Sequence, residues 1–86
     1  MHITPETTAK VETREQFCEF VSELVTDLRT NPDGWENNDL ESFLNALVAY
    51  GCDLQGFYNN MSIDVDADQS SWRVFADLLA GARVYE

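Results

Sequence analysis

Acidic side chains provide the most regular chemical pattern in this sequence. Four carboxylates recur every four residues along one stretch: Glu15, Glu19, Glu23 and Asp27. A helix over this stretch would carry them on one face. Like charges at this spacing destabilise a helix by about 0.2–0.5 kcal/mol per pair, and a solvated face usually mixes both signs. We therefore predict an anionic face that binds a basic protein partner. The alternative is a solvated face that tolerates small penalties and binds nothing.

A second acidic segment, residues 64–68, carries three aspartates that alternate with apolar residues. Their spacing matches the first acidic positions of a calcium-binding loop. The other positions do not match, because Gln69 stands where the tight turn needs glycine and Phe75 where a bidentate glutamate is needed. We predict no metal site. A metal-assisted or small-ligand enzyme that uses this loop is kept as an alternative function.

Thiol and imidazole groups are few and scattered. His2 is the only histidine, and Cys18 and Cys52 lack the spacing of a zinc site. Both cysteines fall in predicted helices, where we expect free, partly buried thiols in a reducing compartment. We therefore predict no cofactor, no catalytic residue and a protein that is not an enzyme.

Four further side chains have both a functional and a structural interpretation: Trp35, Asn37, Tyr58 and Trp72. In the functional interpretation they rim a ligand-binding pocket. In the structural one, which the sequence favours, Trp35 packs onto the following helix as a hydrophobic staple. Asn37 then satisfies backbone groups of a turn or a helix cap.

The charge balance restricts the class of partner. The chain has 16 acidic and 5 basic side chains and a formal net charge of −11. Nucleic acids and anionic membrane surfaces repel such a chain, so we predict neither as a partner. The first residues lack a signal-peptide pattern, and no apolar run reaches the roughly 18 residues of a membrane span. These features predict a cytoplasmic protein.

Helical periodicity and capping patterns define three predicted helices. The first runs from about Thr13 to Arg29 and starts with a Thr13–Gln16 capping box. The second starts near Asp39 behind an Asn38 cap. Its apolar register continues through Gly51 to about Tyr58, although Gly51 also fits a helix stop.

The third helix follows a polar loop, residues 59–69, and is capped by Ser70 or Ser71. The sequence thus predicts an all-α fold, a small three-helix antiparallel bundle with an N-terminal arm. The arm is residues 1–11, which are polar and lack helical periodicity, and residues 12–86 form a single helical domain. We expect the other two helices to pack against the one that starts near Asp39. Nine large side chains are predicted to anchor the core: Phe17, Phe20, Leu24, Phe43, Leu44, Leu47, Trp72, Phe75 and Leu79.

Several of these residues also form a recognisable pattern. It consists of Trp35-Glu36-Asn37, Leu40, Phe43-Leu44, Tyr58, Trp72-Arg73-Val74-Phe75-Ala76-Asp77 and Ala82-Arg83-Val84-Tyr85-Glu86. The pattern resembles a family of small acidic bacterial proteins known only as a domain of unknown function, and it covers about residues 14 to 86. The resemblance implies a small helical domain and no particular activity.

Three functions follow as hypotheses. The first is a non-catalytic protein-binding domain whose acidic face docks a basic protein, as an inhibitor or immunity-like factor. The second is the enzyme that uses the acidic loop 64–68. The third is a self-associating structural subunit, which a large apolar patch left exposed on the monomer would favour. The sequence leaves the oligomeric state open.

Overall fold

A computed structural model describes residues 2–86 of the protein. Its elements are α1 (Pro5–Ala9), α2 (Arg14–Thr30), a short 3-10 helix (Pro32–Gly34), α3 (Leu40–Asn60) and α4 (Trp72–Ala82). The described residues include no strand, so the predicted all-α class is confirmed. Within residues 2–86, none of the helices combines the length and the apolar character that crossing a bilayer requires.

Local capping chemistry fixes the start of α2. The Thr13 Oγ1 atom accepts a hydrogen bond from the Gln16 backbone N–H at 3.1 Å, and Gln16 Oε1 accepts from the Thr13 N–H at 3.1 Å. This reciprocal pair is the predicted capping box. Ser71 caps α4 through a single bond of this kind, since its Oγ accepts from the Val74 N–H at 3.1 Å.

Helix α3 has a different N-cap from the predicted one, but it continues through Gly51 as predicted. The cap is Asp39, whose Oδ1 accepts from the Ser42 N–H at 2.9 Å. The predicted cap, Asn38, is one residue too early. The helix continues through Gly51 to Asn60, so Gly51 is an interior residue and not a stop.

The predicted N-terminal arm contains a helix. Thr4 caps α1 through a capping box with Thr7, and Pro5 occupies the first turn, where a missing N–H costs nothing. Thr8 and Val11 from this segment are buried. The prediction of an arm without helical structure was therefore wrong for these residues, because a five-residue helix is too short to show apolar periodicity. Met1 of the predicted arm lies outside the described residues.

Helix α4 is the central element of the fold. It packs against α1, α2 and α3, whereas the backbones of α2 and α3 do not come close to each other. The expectation that α3 would be the common partner was wrong. Small side chains on α4 explain its place, since Ala76, Ala80 and Ala82 are all buried and allow neighbouring elements to approach closely.

Two hydrophobic clusters involve α4. One joins Phe20 and Leu24 of α2 to Ala76 and Ala80 of α4, with Trp35 beside them. The other contains Leu54 and Tyr58 of α3 with Val74 of α4. Tyr58 and Leu54 are the largest fully buried side chains among the described residues.

The predicted core anchors divide into three groups. Phe20 and Leu24 are buried as expected, and five others are partly buried: Phe17, Phe43, Leu47, Trp72 and Leu79. Leu44 and Phe75 are instead exposed. Leu44 was misassigned because α3 has two apolar stripes at helical spacing, and the stripe that includes Leu54 and Tyr58 is the one that packs against α4.

The second stripe of α3 remains at the surface. We call Leu40, Leu44 and Val48 the apolar stripe; their exposed fractions are 73%, 49% and 70%. These residues are four apart, so they lie along one side of the helix.

Candidate functional site

The acidic face of α2, defined as Glu15, Glu19 and Glu23, is a candidate protein-binding surface. All three side chains are exposed. The opposite side of the helix buries Phe20 and Leu24 against α4. None of the three carboxylates belongs to an ion pair within residues 2–86, where the pairs formed involve only Asp27 and Asp77. Their charge is therefore not neutralised by those residues.

Asp27 does not share this exposed face. Its side chain is buried, and its Oδ2 atom accepts a hydrogen bond from Trp35 Nε1 at 2.8 Å. The Arg83 guanidinium Nη1 lies 3.8 Å from the same oxygen. The last member of the predicted four-residue stripe is therefore turned inward, because near the end of α2 its side of the helix meets the indole and the guanidinium.

These neighbours also determine the ionisation of Asp27. The indole hydrogen bond, with a smaller contribution from the Arg83 charge, lowers the pKa of the Asp27 carboxyl group. The Arg83 guanidinium carbon lies 5.9 Å from the centre of a Trp35 ring, at cation–π distance. Asp27, Trp35 and Arg83 thus form a polar cluster that ties α2 to the end of α4.

A second cluster, which also combines an aspartate, an arginine and an aromatic side chain, links α3 to α4. The buried Tyr58 hydroxyl donates a hydrogen bond to the buried Asp77 carboxylate, and Arg73 Nε lies 3.5 Å from the same Asp77 oxygen. The Arg73 guanidinium also lies 5.9 Å from the centre of the Tyr58 ring. Burial, the hydrogen bond to Asp77 and its negative charge raise the pKa of Tyr58. The i, i+4 spacing of Arg73 and Asp77 could have indicated their pairing, but nothing in the neighbouring sequence indicated that Tyr58 would bind Asp77.

The four predicted ligand-binding residues do not line one common pocket, although Trp35 and Asn37 both border an open pocket of about 300 Å³ beside the start of α3. Trp35 is buried beside Phe43, with ring centres 6.3 Å apart, as expected for a staple. Tyr58 is buried in the second cluster, and Trp72 packs against Phe17 at 5.4 Å. Trp72 borders an open groove of about 600 Å³ at the start of α4, which neither Trp35, Asn37 nor Tyr58 lines.

Asn37 has a structural role at a distant helix end. Its Nδ2 donates hydrogen bonds to the backbone oxygens of Ala82 at 2.9 Å and Tyr85 at 2.7 Å. Its own N–H donates to the Arg83 carbonyl at 3.1 Å. The predicted capping function is therefore present, but the helix that it caps is α4.

The acidic loop does not assemble a metal site. Asp64, Asp66 and Asp68 are exposed, while the intervening apolar residues pack toward α3. Asp66 Oδ1 accepts from the Asp68 N–H at 2.9 Å. Within residues 2–86, no three His, Cys, Asp or Glu side chains are grouped so that they could hold a metal ion.

Both thiols are at the surface. Cys18 and Cys52 are free, as predicted, but exposed. The predicted partial burial was wrong because Cys18 lies beside Glu19 on the solvent side of α2, and Cys52 follows the apolar stripe of α3.

Comparison with known proteins gives a family but no activity. The model of a family of unknown function, DUF7660, matches residues 13–86. This range agrees with the resemblance inferred from residues 14 to 86. No curated protein and no solved structure matches the chain.

Proposed function

The chain belongs to DUF7660, a family of unknown function, and we propose from its own surface that it is a non-catalytic protein-binding domain. The observation that carries this proposal is the acidic face of α2. Its three exposed glutamates have no ion-pair partner in residues 2–86. A basic protein surface would supply the missing charges and gain from electrostatic steering.

The packing of α2 supports this proposal. Phe20, Leu24 and Asp27 hold the inner side of the helix against the rest of the domain. A helix fixed in this way presents its outer carboxylates with little ordering cost on binding.

For the architecture, we propose that α2, α3 and α4 form an antiparallel bundle, in which each helix runs opposite to the next one in the chain, as the sequence predicts.

We further propose that the partner presents a cationic surface, such as an active site that the domain masks as an inhibitor or immunity-like factor. A cytoplasmic location is part of the proposal, and two free, exposed thiols suit a reducing compartment. The metal-assisted enzyme loses its motivation, because the three aspartates of the acidic loop are exposed and no metal-binding group forms within the described chain.

The test is affinity capture with matched charge variants. The triple variant Glu15→Gln, Glu19→Gln, Glu23→Gln removes three charges from the acidic face. The control, Asp64→Asn, Asp66→Asn, Asp68→Asn, removes three charges elsewhere. We expect the first variant to lose basic partners that the wild type and the control retain, with the captured proteins identified by mass spectrometry.

Salt dependence provides a second measurement on any captured partner. The association rate should fall as salt rises, because screening weakens attraction between opposite charges. Retention of the same partners by the glutamine variant would overturn the assignment to α2. Equal loss by both variants would show that net charge matters and that the acidic face has no special role.

A further inference from the structure

A small pocket of about 200 Å³ lies between α1, α3 and α4. Helix α1 contributes Pro5 and Thr8 to its wall, α3 contributes Tyr50 and Phe57, and α4 contributes Asp77. None of the residues that border it within 2–86 belongs to α2, so the pocket is separate from the acidic face. Pockets for drug-sized ligands measure about 300–1,000 Å³, so this one has room for a single ring or a short chain.

Asp77 gives the pocket a buried carboxylate with one unused oxygen. The residue is 8% exposed, its Oδ2 accepts from the Tyr58 hydroxyl, and Arg73 Nε lies 3.5 Å from the same oxygen. Within residues 2–86, Asp77 Oδ1 has neither a hydrogen bond nor an ion pair. This oxygen remains accessible, because Arg73 Nε is the only described side-chain polar atom that is both fully enclosed and without a hydrogen bond.

Tyr50 adds a second polar group to the same pocket. Its hydroxyl forms no hydrogen bond within the described part of the chain. Burial, with a smaller contribution from the charge of Asp77, raises the pKa of Tyr50 to about 12, so the hydroxyl stays protonated at neutral pH. The Tyr50 and Phe57 rings, with centres 6.3 Å apart, supply the aromatic part of the wall. The pocket thus combines an apolar wall with two polar groups that lack partners.

We propose that this pocket binds a small organic ammonium ion, with the ammonium group on Asp77 Oδ1 and the apolar part of the ligand against Tyr50 and Phe57. Hydrogen bonds between ionised groups are shorter and stronger than neutral ones. Aromatic walls suit such a ligand, because the face of an aromatic ring attracts a cation. The proposal goes beyond the protein-binding function proposed above and is independent of it.

The charges around the pocket favour a cation over an anion. Arg83 also borders the pocket, but its Nη1 lies 3.8 Å from Asp27 and its Nε donates to the Ala80 carbonyl at 3.3 Å. Arg73 contacts the other oxygen of Asp77 and is not among the residues that line this pocket. An anionic ligand would meet the unpaired Asp77 oxygen inside a chain of net charge −11, and both repel it.

The test is a titration of the ¹⁵N-labelled full chain followed by NMR, with benzylamine and benzyl alcohol as matched probes. The two molecules have nearly the same shape, and only the amine is a cation at neutral pH. We expect saturable shifts of amide signals around Tyr50 and Gly81 with benzylamine, at a Kd of about 1 mM. Benzyl alcohol should bind at least about tenfold more weakly, because it lacks the charge.

Three variants locate the binding group. Asp77→Asn keeps the shape of the side chain, removes its charge and should weaken benzylamine binding by at least about tenfold. Tyr50→Phe keeps the ring, removes the hydroxyl and should weaken binding by about three- to tenfold. The control Asp64→Asn removes one charge from the exposed acidic loop and should leave binding unchanged, which separates the pocket from general attraction by an acidic chain.

The same spectra show whether each variant remains folded. If Asp77→Asn unfolds the chain, Tyr50→Phe and the comparison of amine with alcohol still decide the question. Equal affinity for the two probes, shifts confined to residues outside the pocket, or unchanged binding by Tyr50→Phe would overturn the proposal. These outcomes leave the acidic face untouched, because its role is measured by the capture of a protein partner.

Discussion

Gly81 marks a close approach between α4 and α3, and replacing it with alanine tests that contact. A β-carbon at this position would lie 2.0 Å from Cε2, 2.3 Å from Cζ and 2.4 Å from Cδ2 of Tyr50. All three distances are far inside van der Waals contact, so the ring would have to move. It packs against Tyr85 and Phe57, with ring centres 5.1 Å and 6.3 Å away, and therefore does not move alone.

Two opposing effects determine the magnitude. Forcing extra atoms into a packed site costs about 1–3 kcal/mol. Alanine gains up to about 1 kcal/mol over glycine in a helix interior, and less in the last turn, where Gly81 lies. We expect Gly81→Ala to lower the free energy of unfolding by about 1–2 kcal/mol.

Gly56 provides the matched control. It lies inside α3, and an added β-carbon would meet no atom within 4 Å. Gly56→Ala should therefore raise the free energy of unfolding by up to about 1 kcal/mol. The same chemical change is expected to have opposite signs at the two positions, which a general effect of alanine on helicity cannot produce.

Urea unfolding followed by tryptophan fluorescence measures both variants. A double-mutant cycle with Tyr50→Leu isolates the contact, since Gly81→Ala should lose most of its cost once the ring is absent. If Gly81→Ala stabilises the protein as much as Gly56→Ala does, the described contact between α3 and α4 is wrong. An unchanged cost in the Tyr50→Leu background would assign the effect to another neighbour.

Three further predictions concern single contacts. Asn37→Ala should cost about 1–3 kcal/mol in urea unfolding, because it removes two hydrogen bonds; the exposed Asn38→Ala should change little. Trp35→Phe should move the midpoint of acid unfolding to higher pH. The Asp27 pKa is lowered chiefly by the indole, so its stabilisation is lost as pH falls through the folded-state pKa. Burial raises the pKa of Tyr50 to about 12, so stability should fall as pH rises from about 10 toward that value. Tyr50→Phe should reduce this alkaline loss in unfolding titrations, and an identical loss would contradict it.

Features determined by neighbouring residues were predictable from the sequence. The Thr13–Gln16 capping box and the Trp35 staple use contacts within eight residues, so their patterns are visible in the chain. The continuation of α3 through Gly51 followed from the apolar register. The family was identified from residues that the structure places partly in the core, such as Trp35 and Tyr58.

Features determined by distant partners were not predictable. Asp27 looked like a fourth surface carboxylate because its spacing matched, and its burial depends on Trp35 and Arg83. Choosing the buried stripe of α3 likewise required knowing where α4 lies. Periodicity shows that a helix has an apolar side, but with two such sides it does not tell which one meets a neighbour.

The central place of α4 has a consequence for how the chain folds. The backbones of α2 and α3 do not approach each other closely, whereas both approach α4, so each lacks its main tertiary partner until α4 has been synthesised. The rate-limiting folding nucleus should therefore include α4, and its formation should require the closure of long loops. A single proteolytic cut in the connection between α3 and α4, residues 61–71, would turn that closure into a bimolecular step and favour unfolding of both earlier helices.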